Sequence, residues 1–523
     1  MVDFVALLST FLPEVVIAAA ALLVFLLDVL GVRRTEVTAG VSAAASLLAL
    51  LFVVADLGIA PFSAVATLPS GLLDSSPASA STSLYAFTSL GLVFQMIFLS
   101  ATFLVSLASA SRPSAEPGAP TFFGLLLLAS VGMLFVAVAA DLIFLLLAIE
   151  ITSVSTYLLV AYRRRDRRTI EAAMKFYIIG ALSTVLSFFG ASLLFGAFGT
   201  TNLYAIALAP ATPSAALVLV GYAFLLAGLA FKVTVVPFHA WAVDVYDGAP
   251  DDVSAFLAGG TKKIGLFAFF LVFLGPVLLA RWATSFSPFG LGPFNAHPVF
   301  QLVLGALAVL TMTFGNLLAL WQKEIKRMLA YSSISQAGYM LIGIAIGTSP
   351  AIAGATLQIF AHVLMKTGAF LVVGAVAALG IGPLVDDWRG LGQERPYLGV
   401  AFALMLLGLA GIPLTVGFVS KFVLFSAAIQ AEGYFVWLAV AGVLNSAASV
   451  FYYARVLKAM FFERSDRPAA PSNAGRLGAN GLGYGRAAAI AIIAVVVVLL
   501  GIYPGPLLSV MQSAAQHFVL LGP

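Results

Sequence analysis

Apolar residues fill almost the whole chain in long runs, and short polar stretches separate each run from the next. A helix needs about 20 predominantly apolar residues to cross roughly 30 Å of hydrocarbon. Only 9% of the residues are charged, against roughly a quarter in soluble domains. The pattern predicts an all-α integral membrane protein with fourteen spans, near residues 4–27, 37–59, 83–109, 121–139, 142–162, 171–198, 214–247, 253–280, 298–320, 326–346, 352–380, 397–430, 434–461 and 487–510.

Two of the predicted spans are too long for one straight crossing. Residues 214–247 and 397–430 each number 34, which is about 51 Å of ideal helix. Pro237 and Pro413 lie inside them, and proline interrupts a helix. Non-helical backbone at membrane depth is tolerated only where protein or a water-filled cavity satisfies it. The sequence therefore predicts broken helices 7 and 12 beside a midplane site, as in transporters.

The two broken spans are five spans apart. A unit of five spans enters the membrane from the opposite side in its second copy, so the spacing predicts two inverted five-helix repeats, spans 4–8 and 9–13. The corresponding domains are an N-terminal three-helix segment over 1–120, the repeats over 121–285 and 286–463, and a linker with the last span over 464–523.

Basic residues concentrate in the loops at one side of this topology. Seventeen of them fall there, including the run RRRDRR at 163–168, and Arg281 alone falls in the loops of the other side. The positive-inside rule places the basic loops in the cytoplasm and both termini outside. Topology thus explains both the isoelectric point near 9.2 and the arginine run, and nothing else in the chain indicates nucleic-acid binding.

Several lysines remain within the spans, where a charge at mid-bilayer costs about 2.5–3.5 kcal/mol. Glu150 is the acid near the middle of its span, and one carboxylate cannot neutralise all of them. Desolvation favours the neutral form of a buried lysine, so such lysines can become proton carriers near neutral pH. The pattern predicts a proton or cation path that draws on Lys175, Lys232, Lys262, Lys263, Lys366 and Lys421.

Two of these lysines lie close to the predicted breaks. Lys232 precedes Pro237 by five residues and Lys421 follows Pro413 by eight. The alternative to a transport role is that each lysine satisfies carbonyls freed by its break. Glu150 is expected to pair with Lys175 or Lys232, and the sequence does not decide between them.

Other candidates have structural alternatives as well. Lys175 lies near the basic end of its span and can extend to the headgroups, as can Arg455 and Lys458. His239 could bridge two lysines or cap the broken helix. His362 and Lys366, four residues apart, form a relay step or a polar packing pair. Lys262 and Lys263 point about 100° apart, so at most one of them faces a given narrow path. The other histidines, His297 and His517, fall in a loop and in the tail.

The chain has no cysteine and four scattered histidines. This composition excludes thiolate-held iron–sulfur clusters and offers no convincing haem or metal site. The sequence also lacks a phosphate-binding loop and a dinucleotide fingerprint. We therefore expect no cofactor in this chain, and any redox centre that it serves should belong to another subunit.

Five stretches in combination resemble one family. They are AIEITSVSTYLLVAY around Glu150, EAAMKFYIIGALSTVLSFFGASLLFGAFGTTNL around Lys175, GLAFKVTVVPFHAWAVDVYDGAP around Lys232, KEIKRMLAYSSISQAGYMLIG at 323–343, and LAGIPLTVGFVSKF around Lys421. The chain resembles the antiporter-like membrane subunits of proton-pumping NADH-quinone oxidoreductase, respiratory complex I, and among them the subunit N group. The lysine in GFVSKF is typical of that group, whereas His362, Lys366 and the long linker after Arg464 depart from it.

The resemblance implies a proton channel in a multi-pass protein of the bacterial cell membrane. Glu150 and Lys232 would form a tunable pair, and Lys421 would be the exit gate. The stretch FLAGGTKKIG matches the eighth span of the family, and this match gives Lys262 the role of connecting the pair to the exit. The partners would be other membrane-arm subunits, further antiporter-like ones among them, in the lipid bilayer. NADH, quinone, flavin and iron–sulfur clusters would be handled by other subunits. The rivals are an Mrp-type sodium/proton antiporter subunit and a membrane scaffold whose lysines bind lipid headgroups.

Overall fold

The computed structural model describes residues 9–32, 34–59, 66, 68, 73, 80–111, 118–163, 165–209, 214–278, 296–465 and 483–520, and this part of the chain is mainly helical. Thirteen of its helices are long and apolar enough to cross a membrane. Two shorter apolar helices, Pro396–Ala410 and Val416–Gln430, follow one another where the twelfth span is predicted. The all-α membrane fold is therefore confirmed, with the predicted spans in the predicted order.

The helices are numbered here in chain order. They are α1 Leu12–Val29, α2 Thr35–Asp56, α3 Ser89–Ser109, α4 Ala119–Ala137, α5 Leu142–Val160, α6 Arg167–Phe198, α7 Leu203–Leu208, α8 Ala215–Val233, α9 Ala240–Gly248, α10 Asp251–Phe256, α11 Lys262–Phe269, α12 Ala296–Trp321, α13 Ile325–Ile346, α14 Ser349–Ala378, α15 Leu391–Glu394, α16 Pro396–Ala410, α17 Val416–Gln430, α18 Phe435–Phe462, α19 Tyr484–Ile502 and α20 Gly505–Leu520. Two π-helical stretches, Leu257–Thr261 and Phe270–Leu278, flank α11 in the eighth span.

The seventh span is broken where the sequence predicts it. Its first half, α8, ends before Thr234, which has a left-handed backbone with φ of +67°. The second half, α9, begins at Ala240, so that Pro237 lies between the two halves. One carbonyl near the break, that of Phe231, accepts a hydrogen bond from Trp241 Nε1 at 3.1 Å. A side chain from the second half thus satisfies backbone of the first, as burial requires.

The twelfth span is broken in the same manner around Pro413. Helix α16 ends at Ala410, and Gly411 follows with φ of +88°, a conformation that glycine adopts without the Cβ penalty. Helix α17 then starts after Thr415, whose hydroxyl caps it by accepting from the Phe418 amide at 3.4 Å. Each broken helix therefore leaves terminal carbonyls and amides inside the membrane region.

The spans differ greatly in burial. The eighth and eleventh spans are buried within the chain along their apolar length, and the tenth is nearly so. The first, second, sixth, thirteenth and fourteenth spans present most of their surface outward. Polar side chains on the eighth, tenth and eleventh spans consequently lie in the interior of the bundle.

The C-terminal region differs from the prediction. The last span ends at Ile502, and a further helix, α20, follows Pro504. It packs against α3 and α14 through Met511, Ala514, Ala515 and Phe518, an amphipathic spacing. The sequence places His517 in the tail after the last span, but the residue lies in the helix α20. His297, which the sequence places in a loop, lies in the first turn of α12.

Some predicted features lie outside the described residues. These are Arg33, Arg112, Arg164, Arg281, Arg467, Arg476 and most of the predicted linker, 466–482.

Close packing at Gly228 gives a first prediction. Helix α8 approaches α6 there so closely that Ser183 Oγ donates to the Gly228 carbonyl at 2.7 Å, and a Cβ on Gly228 would lie 2.6 Å from the Ser183 carbonyl oxygen. We expect Gly228→Ala to push the helices apart and to lower stability by about 1–3 kcal/mol. The measurement is the thermal unfolding midpoint in detergent. In the control, Gly196→Ala, the added Cβ meets no atom within 4 Å, and equal midpoints for the two variants would contradict the prediction.

Candidate functional site

The ammonium group of Lys232 contacts three oxygen atoms of α5. Its Nζ lies 2.7 Å from Ser153 Oγ, 3.4 Å from Glu150 Oε1 and 3.4 Å from Tyr157 OH. The three acceptors are spaced i, i+3 and i+7, which places them on one face of the helix. Glu150 also accepts a hydrogen bond from Thr184 Oγ1 of α6 at 2.5 Å. Of the two partners that the sequence leaves open for Glu150, the structure brings Lys232 to it.

Lys175 belongs to a different group of charges. Its Nζ lies 2.7 Å from Asp244 Oδ2 and 2.8 Å from Glu171 Oε1, and its side chain is 41% exposed. Asp244 also accepts from Arg327 at 3.1 Å. These pairs join α6, α9 and α13 at the ends of the spans where the basic loops lie, which we call the basic side. Asp244 was not singled out from the sequence, although it lies in the long segment that contains Lys232.

A cavity of about 20 Å³ lies between Lys232 and Lys262. A volume of this size holds about one water molecule. Hydroxyl groups from two spans line the cavity together with the lysines, those of Ser153 and Thr156 on α5 and of Thr261 on the eighth span. The polar lining supplies the hydrogen-bond partners that a buried water needs.

The adjacent lysines Lys262 and Lys263 are both buried but point in different directions. Lys262 lines the cavity and donates to the carbonyl oxygen of Ser333 on α13 at 2.7 Å. Lys263 Nζ lies 2.9 Å from Nδ1 of His362 on α14. The two side chains point in different directions, as expected for neighbouring residues of a helix. Lys262 therefore contacts α13 and the cavity, whereas Lys263 contacts α14.

Lys366 also contacts α13. It donates to the Leu329 carbonyl oxygen at 2.7 Å and to Ser332 Oγ. Its neighbour one turn earlier, His362, uses Nδ1 toward Lys263, while its Nε2 is buried without a hydrogen-bond partner among the described residues. Lys366 and His362 are thus both parts of the buried polar interior.

Lys421 is bound by the broken end of α16. Its Nζ donates to the carbonyl oxygens of Leu409 at 2.9 Å and Ala410 at 3.1 Å, and to Ser446 Oγ at 2.8 Å. Carbonyls at the C-terminus of a helix carry partial negative charge and lack helical partners. The aromatic ring of Tyr339 lies 4.8 Å from the ammonium group, close enough for a cation–π interaction.

Two glutamines lead from the region of His362 to Lys421. Gln358, on α14, donates to Gln336 Oε1 at 2.7 Å and accepts from Ser420 Oγ at 2.6 Å. Gln336 in turn donates at 3.1 Å to the Leu409 carbonyl that also binds Lys421. Neither glutamine was predicted from the sequence. The polar run SSISQ within an apolar span was the signal for Gln336, and Gln358 lies one helical turn before His362.

His239 stands apart from these contacts. It lies at the start of α9 without a side-chain capping hydrogen bond, and its buried Nδ1 has no hydrogen-bond partner among the described residues. The structure therefore places it next to the break, and among the described residues no hydrogen bond joins it to Lys232 or Lys262.

The electrostatics of this site are dominated by positive groups. Among the described residues, Glu150 is the one acid in an ion pair with any of Lys232, Lys262, Lys263, Lys366 and Lys421. Carbonyl and hydroxyl oxygens supply the other contacts. Mutual repulsion in a low-dielectric interior disfavours the state in which all five lysines are charged. Chemically, the arrangement can bind fewer protons than it has amines, and it can pass them between neighbours.

The comparison with known proteins agrees with this geometry. The family described as NADH:quinone oxidoreductase/Mrp antiporter, TM, matches residues 139–446, which is more than half of the chain. The chain belongs to this family. The matched region contains every residue predicted for the path.

Curated relatives within this antiporter family match over most of their length. The chain is 37% identical over 518 residues to NADH-quinone oxidoreductase subunit N 2 of Sorangium cellulosum, with 96% of each chain covered. It is 38% identical over 436 residues to F(420)H(2) dehydrogenase subunit N of Methanosarcina mazei, covering 82% of this chain and 83% of the relative.

Two solved structures have the same fold as this chain. A chain of respiratory complex I from Thermus thermophilus superimposes with a TM-score of 0.72 at 28% identity, covering 95% of this chain and 98% of that one. A chain of the Mrp complex from Dietzia sp. gives a TM-score of 0.78 at 20% identity, covering 98% of both chains. At 20% identity the second likeness shows the fold alone.

The charge network at Asp244 generates a second prediction. Asp244→Asn should weaken the ion pairs to Lys175 and Arg327 and so loosen α9 from α6 and α13. The chain has no cysteine, so a single Ala242→Cys change provides a label at a fully buried position of α9. We expect faster thiol labelling of this cysteine, read by mass spectrometry of this chain. Asp386→Asn, at a carboxylate with 74% side-chain exposure, is the control, and unchanged labelling with Asp244→Asn would contradict the prediction.

Proposed function

We propose that the chain is a proton-translocating membrane-arm subunit of a respiratory complex I, an NADH-quinone oxidoreductase of the bacterial cell membrane. The single observation that carries the proposal is the buried series of protonatable groups between the Glu150–Lys232 pair and Lys421. The similarity to the Sorangium subunit N over nearly all of both chains supports the choice of complex. We propose a non-redox role, with NADH, quinone, flavin and iron–sulfur chemistry in other subunits, and with further antiporter-like subunits as neighbours.

The Glu150–Lys232 pair is the proposed switch. Two unit charges about 4 Å apart interact by about 4 kcal/mol at an effective dielectric constant of about 20. A movement that separates Glu150 from Lys232 removes stabilisation of that order, which corresponds to about a thousandfold change in proton affinity. The proton held by Lys232 while the pair is closed is then released to the next group when the pair opens.

The next groups follow from the contacts. A water molecule, for which the cavity has room, would join Lys232 to Lys262. The eighth span would carry the path onward, because Lys263 faces His362. We propose that the two adjacent lysines act in series. Gln358 and Gln336 hydrogen-bond toward the carbonyl that binds Lys421 at the broken end of α16. Carboxamides do not carry an extra proton, so we place them beside the route, along which water would deliver the proton to Lys421 and then outward. In this proposal Lys366 and His239 are secondary sites.

The orientation in the membrane belongs to the same proposal. The basic side faces the cytoplasm by the positive-inside rule, and the network of Lys175, Asp244 and Arg327 lies at the entry side of the path. Both termini then lie outside. The predicted inverted repeats remain a prediction, which is supported by a correspondence: Lys232 approaches Tyr157 of the fifth span, and Lys421 approaches Tyr339 of the tenth.

The Mrp-type sodium/proton antiporter has weaker support as an alternative. The family model covers both kinds of protein, but the Mrp chain is 20% identical to this chain, whereas the Sorangium subunit N is 37% identical. The Methanosarcina relative is named for a different electron donor, so the identity of the donor is a second point to test. Both questions have the same experiment, which is the identification of proteins that co-purify with this chain. Flavin and iron–sulfur subunits that oxidise NADH favour complex I, and subunits that oxidise another donor favour an enzyme like the Methanosarcina relative. A set of small antiporter proteins favours the Mrp-type antiporter.

Replacing Lys232 tests the switch. Lys232→Gln removes the proton-binding amine, so protons pumped per NADH oxidised in sealed vesicles should fall, or turnover should stall. Arg395→Gln is the control, since it removes a positive charge at the basic side and lies outside the path. Wild-type coupling and rate with Lys232→Gln would refute the assignment. If less complex assembles with Lys232→Gln, but the complex that does assemble pumps the normal number of protons per NADH, a role as a membrane scaffold is favoured instead.

The series arrangement in the eighth span makes a separate prediction. If Lys262 and Lys263 carry successive steps, Lys263→Met and Lys262→Met should each impair pumping by at least about tenfold, since either change removes one carrier. If the two lysines are alternatives, each single variant should pump nearly as well as wild type, and only the double variant should fail. Proton uptake after a pulse of NADH distinguishes these outcomes.

A further inference from the structure

A second polar site lies at the basic side, away from the lysine path. It is a pocket of about 240 Å³ lined by residues from the ends of four segments: Lys323, Leu384, Val385, Asp386, Arg389, Arg455, Lys458, Ala459 and Glu463. The pocket lies where α12 and α18 end, beside the loops that precede α13 and α15. None of its residues contacts the groups proposed to move protons.

The pocket has an excess of positive charge. Its four cations face two carboxylates, and both carboxylates are already paired. Arg389 lies 2.9 Å from Asp386 and 2.9 Å from Glu463, and Lys458 lies 3.4 Å from Glu463. Lys323 and Arg455 line the same pocket, and neither has an ion pair with an acid of the described residues. Among the described residues, the pocket therefore carries two more cations than carboxylates.

Arg455 is held in place for such a role. Its guanidinium group donates to the carbonyl oxygens of Leu320 at 3.1 Å and of Gln322. These carbonyls belong to the end of α12, next to Lys323. The contacts fix the guanidinium without neutralising its charge, which is the preorganised state in which arginine recognises a phosphate group.

Another pocket of the same kind shows that this excess is not general. The pocket around Lys175 has a volume of about 320 Å³ and is also at the basic side. Its three cations face four acids, and Lys175 and Arg327 are both paired with Asp244. The acids that line that pocket thus outnumber its cations, whereas among the described residues the cations at Lys323 and Arg455 outnumber the acids.

The surroundings of the positive pocket are apolar and outward-facing. Trp321 is the last residue of α12, close in sequence to Lys323 of the pocket, and it is 82% exposed. Phe462 on α18 is 83% exposed. Leu317 and Phe451, further along the same helices, are also exposed. Aromatic residues with cations beside them are typical of the headgroup level of a membrane, and the apolar faces beyond them suit acyl chains.

We propose that this pocket binds the phosphate of an anionic phospholipid of the cytoplasmic leaflet, with Lys323 and Arg455 on the phosphate and acyl chains along α12 and α18. Phospholipid is favoured over free phosphate because the charged pocket opens beside exposed apolar surface. A negatively charged lipid is favoured over a zwitterionic one because the site carries two unbalanced cations, each of which contributes about 1 kcal/mol near an anionic surface.

The test uses the assembled, delipidated complex in detergent, titrated separately with phosphatidylglycerol, phosphatidylethanolamine and inorganic phosphate. Native mass spectrometry reports which lipid stays bound to this chain. We expect phosphatidylglycerol to bind best, and Lys323→Gln with Arg455→Gln to weaken its binding about thirtyfold, about fivefold for each cation. Arg395→Gln, which removes a charge from the same side outside the pocket, should leave binding unchanged.

Three results would overturn the proposal. Equal binding of phosphatidylethanolamine would remove the basis for an anionic lipid, and displacement of the lipid by inorganic phosphate would identify a phosphate site. An equal loss with Arg395→Gln would show general surface attraction without a defined pocket. If the double variant fails to assemble, the single glutamine variants are compared with Lys323→Arg and Arg455→Lys. Lys323→Arg and Arg455→Lys, which keep the charge, should still bind the lipid. Equal lipid binding by these two variants and the two single glutamine variants would also refute the site.

Discussion

The structure depends on one electrostatic constraint, the burial of several ammonium groups within the helix bundle, where Glu150 is their one carboxylate partner among the described residues. An uncompensated charge at this depth is costly, so other oxygen atoms have to replace water around each amine. Both helix breaks contribute to this. The break at Pro413 exposes the Leu409 and Ala410 carbonyls that bind Lys421, and the break at Pro237 ends α8 one residue after Lys232.

Helix α13 contacts the charged network at the basic side and three of the buried lysines or their binding groups. At its basic end Arg327 binds Asp244 of α9. In the next two turns the carbonyl of Leu329 binds Lys366 and that of Ser333 binds Lys262. Further along, Gln336 donates to the Leu409 carbonyl, which also binds Lys421. A displacement of α9 or α13 therefore changes the surroundings of several lysines together. This gives a physical route by which a movement at one position can alter proton affinity at another.

Much of the fold was predictable because the membrane imposes length and polarity on each span. The excess length of two spans and the prolines inside them located both breaks correctly. The partner of Glu150 was not predictable, since Lys175 and Lys232 lie on different helices and only packing decides which approaches α5. The role of Asp244 and the glutamine connection depend on such packing as well. Helix α20 was missed because its apolar face is short and follows directly on Pro504.

We propose that the buried lysines conduct protons in series to an exit at Lys421. The most direct measurement is the number of protons pumped per NADH oxidised by vesicles that contain the complex with Lys421→Met. This ratio should fall, or oxidation should slow until coupling cannot be sustained, because the last amine of the path is gone. An unchanged ratio at an unchanged rate would show that Lys421 is not the exit.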